Sequence, residues 1–132
     1  MKLVNQEEIN KIAGCPSQNY TGSLKLFRWV SSEDMLNSFE CYATSKPKFA
    51  NDCIAWGLST YRSKKSAIEV LKNLSIGMQR KFDAIAVCEI EENDGIKYQS
   101  RDNINHYTFF PRTNFDSVSR FNIIEILSDE KQ

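Results

Sequence analysis

Asp52–Asn73 reads DCIAWGLSTYRSKKSAIEVLKN, and its midpoint decides the fold. The apolar run Cys53 to Tyr61 predicts a strand. It stops at the basic, hydroxyl-bearing turn Arg62-Ser63-Lys64-Lys65. Ala67, Ile68, Val70, Leu71 and Leu74 then recur at helical spacing, which predicts an amphipathic helix with a broad apolar face, stopping at Gly77. Ser63 stands where a hydroxyl can accept from the free amides of a first helical turn. Gly57 breaks the strand pattern and predicts a bulge or a close approach of another backbone.

Upstream, Asn5 with Glu8 forms a capping-box pattern, and Val4 and Ile9 are spaced for a hydrophobic staple. A short helix is expected, stopped by Gly14 and Pro16. In Leu24 to Val30, Leu24, Leu26, Arg28 and Val30 share one face, and Lys25, Phe27 and Trp29 share the other. Both faces are mostly apolar, so the strand is expected to be central or covered on both sides. Arg28 breaks its row. Either its head reaches solvent from the strand end, or it clamps an anion or substrate, because a guanidinium among apolar side chains needs a partner. Ser31 to Asp34 opens a second expected helix, with Met35, Leu36, Phe39, Tyr42 and Ala43 as its core face and Pro47 as its limit.

Downstream, Phe82 to Glu91 is the strongest strand, apolar on both faces at Ala84 to Cys88. Asn93-Asp94-Gly95 is a turn signal that predicts Ile96 to Tyr98 as its hairpin partner. His106 to Phe110 is a short aromatic strand closed by Pro111. Thr113 or Asn114 is placed to cap a brief helical turn through Val118, and Phe121 to Leu127 is a last strand. The order predicts an α+β fold: one domain over 1–132, a mixed and mostly antiparallel sheet, and about three helices in the N-terminal half. Residues 1–3 and 128–132 are expected to fray.

Composition narrows the function. Lys plus Arg and Asp plus Glu balance at 17 each, so no net field favours nucleic acid or a membrane surface. No apolar stretch approaches the ~20 residues that span a bilayer, and Met1 to Lys11 lacks a signal-type apolar region. A soluble cytoplasmic protein is expected. The four cysteines, 15, 41, 53 and 88, include no C-x-x-C pair and are expected to be reduced and partly buried, with no metal site. No nucleophile elbow, P-loop or dinucleotide fingerprint is present. The one histidine, His106, sits in an aromatic strand and is expected to be a structural or surface histidine.

Local charge is more informative. Residues 62–81 hold six basic side chains and one acid, whereas 83–94 hold five acids and no base. Lys64 and Lys65 stand at a helix start, where the dipole disfavours cations by some tenths of a kcal/mol. Together with Ser59, Thr60, Arg62 and Ser63 they form a candidate site for a small anion such as a phosphate group.

The same junction resembles ADP-ribosyltransferase-like proteins, their RES-type toxin relatives in particular. The matching residues are Tyr61-Arg62-Ser63 followed by Ala67 to Leu71, with Arg28 in Leu26-Phe27-Arg28-Trp29 and the Glu89-Ile90-Glu91 pattern. The resemblance implies NAD bound in a cleft between two half-sheets. Arg28 would contact the ribose or phosphate side, Tyr61 would stack, and an acid, with Glu91 as candidate, would support the oxocarbenium-like centre. Otherwise no cofactor is expected.

No catalytic set is complete, however. The aromatic load of Trp29, Trp56, Tyr98, Tyr107, Phe109 and Phe110 suits an interface beside charged neighbours. The leading expectation is therefore a small accessory or interaction domain with a protein partner. A NAD-binding or NAD-degrading enzyme is the alternative.

Overall fold

The computed structural model describes residues 1–127. Its centre is a six-stranded sheet built from β1 (Leu24–Val30), β2 (Leu58–Tyr61), β3 (Ala84–Ile90), β4 (Gly95–Gln99), β5 (His106–Pro111) and β6 (Asn122–Ile126). The strand order is β4-β5-β2-β1-β3-β6, and every pair is antiparallel. Five short helices accompany it: α1 (Gln6–Asn10), α2 (Tyr42–Ser45), α3 (Lys64–Lys72), α4 (Ile76–Lys81) and α5 (Ser117–Arg120). The fold is α+β, as the pattern of elements predicts, with an antiparallel rather than a mixed sheet.

Alternation along the strands sends two different cores to the two faces. On one face Leu24, Leu26, Val30, Leu58, Ala84, Ala86, Ile90 and Phe109 pack beneath Met35, Phe39, Phe115 and Phe121. The cover there is irregular chain. On the other face Trp29, Tyr61 and Ile85 pack beneath Ala67 and Leu71 of α3. The Trp29 indole donates to the Ala67 carbonyl at 3.0 Å, which fixes α3 across β1. Farther out on this helical face, Leu3 and Ile9 of the N-terminal segment close over Phe110.

Several local expectations give way to tertiary contacts. The helix expected after Ser31 is only a 3₁₀ turn at Asn37–Phe39 and the four-residue α2, and Leu36 is 78% exposed instead of core. The run from Cys53 divides into a 3₁₀ turn, Cys53–Trp56, and β2, with Gly57 at the break. A Cβ at Gly57 would run into the Thr108 side chain and crowd the Phe109 carbonyl, so another backbone does approach closely here. α3 stops at Lys72, Ser75 caps a separate α4, and Gly77 lies inside α4. Asn5 has φ 62° and caps nothing through its side chain. The cap expected at Thr113 or Asn114 falls to Asp116, whose carboxylate accepts from the Ser119 amide.

The largest correction concerns β4. It does not return along β3 but crosses to the far edge and pairs with β5. The turn is a 3₁₀ capping box between Glu91 and Asp94, with the Asp94 carboxylate held by Arg120 at 2.8 and 2.9 Å. Burial pushes this carboxyl up, but the bonds from Arg120 and Glu91 outweigh it and hold it below the usual range. β6 takes the place beside β3 instead. The expected reduced state of all four cysteines is corrected as well: Cys15 and Cys53 form a disulfide, and Cys41 and Cys88 are free and buried. Contact between the N-terminal segment and the 53–56 turn brings that pair together, and sequence spacing carries no trace of it. The frayed tail expected at 128–132 lies outside the described residues.

Candidate functional site

β1 meets β2 at a single Cα pair, Phe27 with Tyr61, whereas β1 and β3 pair along seven positions. The sheet is therefore two half-sheets, β4-β5-β2 and β1-β3-β6. Where the β1–β2 ladder is missing, strand carbonyls lose their partners, and a buried carbonyl without a donor is costly. Arg28 fills this place. Its Nη1 donates to the Ser59 carbonyl at 2.7 Å, and Nε and Nη2 both donate to the Ser38 carbonyl, at 3.2 and 2.8 Å. The guanidinium is buried, lies 5.9 Å from the Phe39 ring centre, and has no carboxylate among its hydrogen-bond partners. Desolvation lowers its pKa to about 10, partly offset by Tyr61 and Cys41 nearby. Arg28 thus ties the half-sheets to each other and to the 38–39 turn.

Tyr61 stands on the other side. Phe27 and Tyr61 are direct partners and share a face, and Arg28, the next residue, points the opposite way. The phenol packs on Trp29 at 5.9 Å and edge-on to His106 at 5.2 Å. Burial raises its pKa to about 12. His106 binds the Ser100 hydroxyl through Nδ1 at 2.8 Å, and Ser100 also bonds Thr108 at 2.7 Å. Burial lowers the His106 pKa to about 4, with the Arg101 charge adding to it, so the ring is neutral near pH 7. This is a closed cluster, which places His106 in the interior and not on the surface.

The residues around the α3 start do not assemble into one pocket. Thr60 is fully buried and donates to the Tyr107 carbonyl at 2.7 Å. Arg62 lies over the Tyr107 ring at 5.6 Å, on the face opposite Ser59 and Tyr61. The Ser63 hydroxyl accepts from the Ser66 amide at 3.0 Å, as expected of a cap. Lys64 pairs with Glu125 of β6 at 2.7 Å, and Lys65 is exposed. Ser59 is half-buried, its carbonyl already taken by Arg28. Glu91 caps the turn at the far end of β3, five residues beyond the Ala86 partner of Arg28 and so roughly 16 Å along the strand. The structure brings Arg28, Tyr61 and Glu91 into no common cleft.

No family model matches the chain, and neither a curated protein nor a solved structure matches it. Among the described residues no group of three or more His, Cys, Asp or Glu is placed to hold a metal ion, and no helix is long and apolar enough to cross a membrane.

Three features escape the sequence. The first is a cleft of about 140 Å³ lined by Val4, Asn5, Phe39, Cys41, Trp56 and Leu58, among others. The second is the buried Lys97, whose Nζ donates to the Tyr20 carbonyl at 3.3 Å and lies 5.9 Å from the Tyr20 ring centre; burial lowers its pKa, partly offset by Glu92 and Asp94. The third is the contrast between the two sheet edges. The outer edge of β4 is covered, since Tyr20 donates to the Lys97 carbonyl and the Asn19 side chain accepts from the Lys97 amide. The outer edge of β6 meets no further strand among the described residues. There Ile123, Ile124 and Ile126 are 38%, 48% and 60% exposed.

Proposed function

We propose that the chain is a protein-binding domain and that β6 is its binding element. The observation that carries this is an apolar outer strand that no other strand among the described residues pairs with, in a sheet whose other edge is covered at Lys97. An exposed apolar edge is a template for another strand, and backbone pairing there gives affinity while alternate side chains give selectivity. The irregularity opposite Ile85/Ala86 leaves Ile124 without a partner on β3, so it adds to the exposed surface. The partner is an extended segment with alternating apolar side chains, added antiparallel to Asn122–Ile126. Peptide selection against the immobilised domain tests this, with Ile126→Lys as the counter-selected protein. Enrichment of alternating apolar peptides that bind the parent protein and not the variant is expected. Peptides that bind both equally would remove the proposal.

A second reading, NAD binding in the manner of ADP-ribosyltransferase-like proteins, draws support from the division of the sheet at β1–β2. Against it stand the burial of Arg28 on the Ser38 and Ser59 carbonyls and the placement of Tyr61 on the opposite face. Titration with NAD, followed at the backbone amides of 26–30 and 57–62, decides it. Shifts on both sides of the division support binding, and their absence eliminates it.

A further inference from the structure

The N-terminal segment is a strap with two anchors. At one end Val4 donates to the Pro111 carbonyl and Thr113 donates to the Lys2 carbonyl. At the other end the Cys15–Cys53 disulfide fastens the segment to the 53–56 turn, and both sulfurs' residues are half-buried rather than enclosed. Between the anchors lies α1, five residues long, which cannot hold its shape without docking. Its docking rests largely on Ile9.

The strap also walls a cleft. Val4 and Asn5 form one side of the 140 Å³ cavity, and Trp56, from the turn that carries Cys53, forms another. The Cys41 thiol lines the space between them. It contacts the Asn5 amide at 3.5 Å and the Thr44 hydroxyl at 3.0 Å, and Cys41 is 7% exposed. The disulfide therefore ties the turn that carries Trp56 to the segment that supplies Val4 and Asn5, two of the walls beside this thiol. Cys88, the other free cysteine, lies in β3, away from the strap.

We propose that the Cys15–Cys53 disulfide is a redox latch that sets access to the Cys41 cleft. A dithiol reductant supplies two electrons and two protons. The S–S bond breaks, Cys15 and Cys53 become thiols, and the reductant closes to its own disulfide. The segment then keeps its bonds at residues 2–4 and at Asn19 and Tyr20 and its docking through Ile9, but it is no longer tied to the 53–56 turn, and the Cys41 thiol gains access to solvent. In the cytoplasm, the location expected from composition, such pairs are cycled rather than permanent. Access to the Cys41 side of the cleft is thus wider in the reduced protein than in the oxidised one.

The test compares alkylation of Cys41 by iodoacetamide in the oxidised protein, in protein reduced with dithiothreitol and then desalted, and in the Cys15→Ser/Cys53→Ser variant. The reaction forms a sulfur–carbon bond with loss of iodide and of the thiol proton, and peptide mass spectrometry resolves each site. Cys41 labelling at least tenfold faster in the reduced and variant proteins, with Cys88 unchanged, is expected. Equal Cys41 rates in all three states overturn the proposal. So does a parallel rise at Cys88, because that reports general loosening, and so does failure of Cys15 and Cys53 to pair on oxidation.

Discussion

Arg28 shows how one residue type can be legible and its role hidden. A guanidinium in an apolar row must find acceptors, and the sequence reveals that need. It does not reveal that the acceptors are two main-chain carbonyls, that of Ser59 beside the gap in the β1–β2 ladder and that of Ser38 in the 3₁₀ turn. Replacing Arg28 by Ala strands both carbonyls and opens a void, so unfolding free energy should drop by about 3 kcal/mol or more. Arg28→Lys should recover little of this, since one ammonium cannot reproduce the planar fork. Urea denaturation of both variants checks the ordering. His106 gives a pH signature. Its folded pKa, about 4, lies below the ordinary value of 6.5, so the unfolded chain takes up the proton first. Stability is complete above pH 6.5, falls as pH drops toward 4, and changes no further from this group below that; each unit is worth ~1.4 kcal/mol. His106→Gln should flatten the profile between pH 6.5 and 4. The Asp94 carboxyl, held low by Arg120, loses its contribution only at more acidic pH and so does not mimic the effect.

Among the elements, α3 was readable because cap, apolar stripe and length agree with one another. Ser63 accepts from the Ser66 amide, and Ala67 and Leu71 are the most buried residues of the helix. Ser63→Ala removes the cap and should cost about 1 kcal/mol, seen as a lower urea midpoint with an unchanged slope. A larger loss would mean that the hydroxyl also supports the β2–α3 junction. The expected second helix failed for the complementary reason. Its apolar spacing was present, but the chain over 31–45 must dip to place Phe39 beside Arg28 and to offer the Ser38 carbonyl inward, which a continuous helix cannot do. The sequence predicts β4 as a strand but pairs it with β3, whereas it lies beside β5. Hairpin logic assumes that the adjacent strand is the cheapest partner, and here the capping box held by Arg120 turns the chain away.

The molecule as a whole is held by two half-sheets, by chain layers over both faces, and by one covalent tie between residues 38 positions apart. Closing a loop of that length removes unfolded-state freedom worth about 4 kcal/mol in the chain-entropy picture. The Cys15→Ser/Cys53→Ser protein should therefore unfold at clearly lower denaturant than the oxidised parent; a difference below ~1 kcal/mol would show that the tie constrains little. What the sequence determined by itself was local: strand and helix periodicity, the Ser63 cap, the tight place at Gly57 and the α+β class. These follow from interactions among neighbouring residues, which the order of residues records directly. The tertiary structure alone decided the strand order, the opposite faces of Arg28 and Tyr61, the dispersal of the basic cluster at α3, the disulfide, and the choice of β6 as the open edge. Each depends on which distant surfaces meet, and that is settled by burial summed over the whole chain, not by any stretch of it.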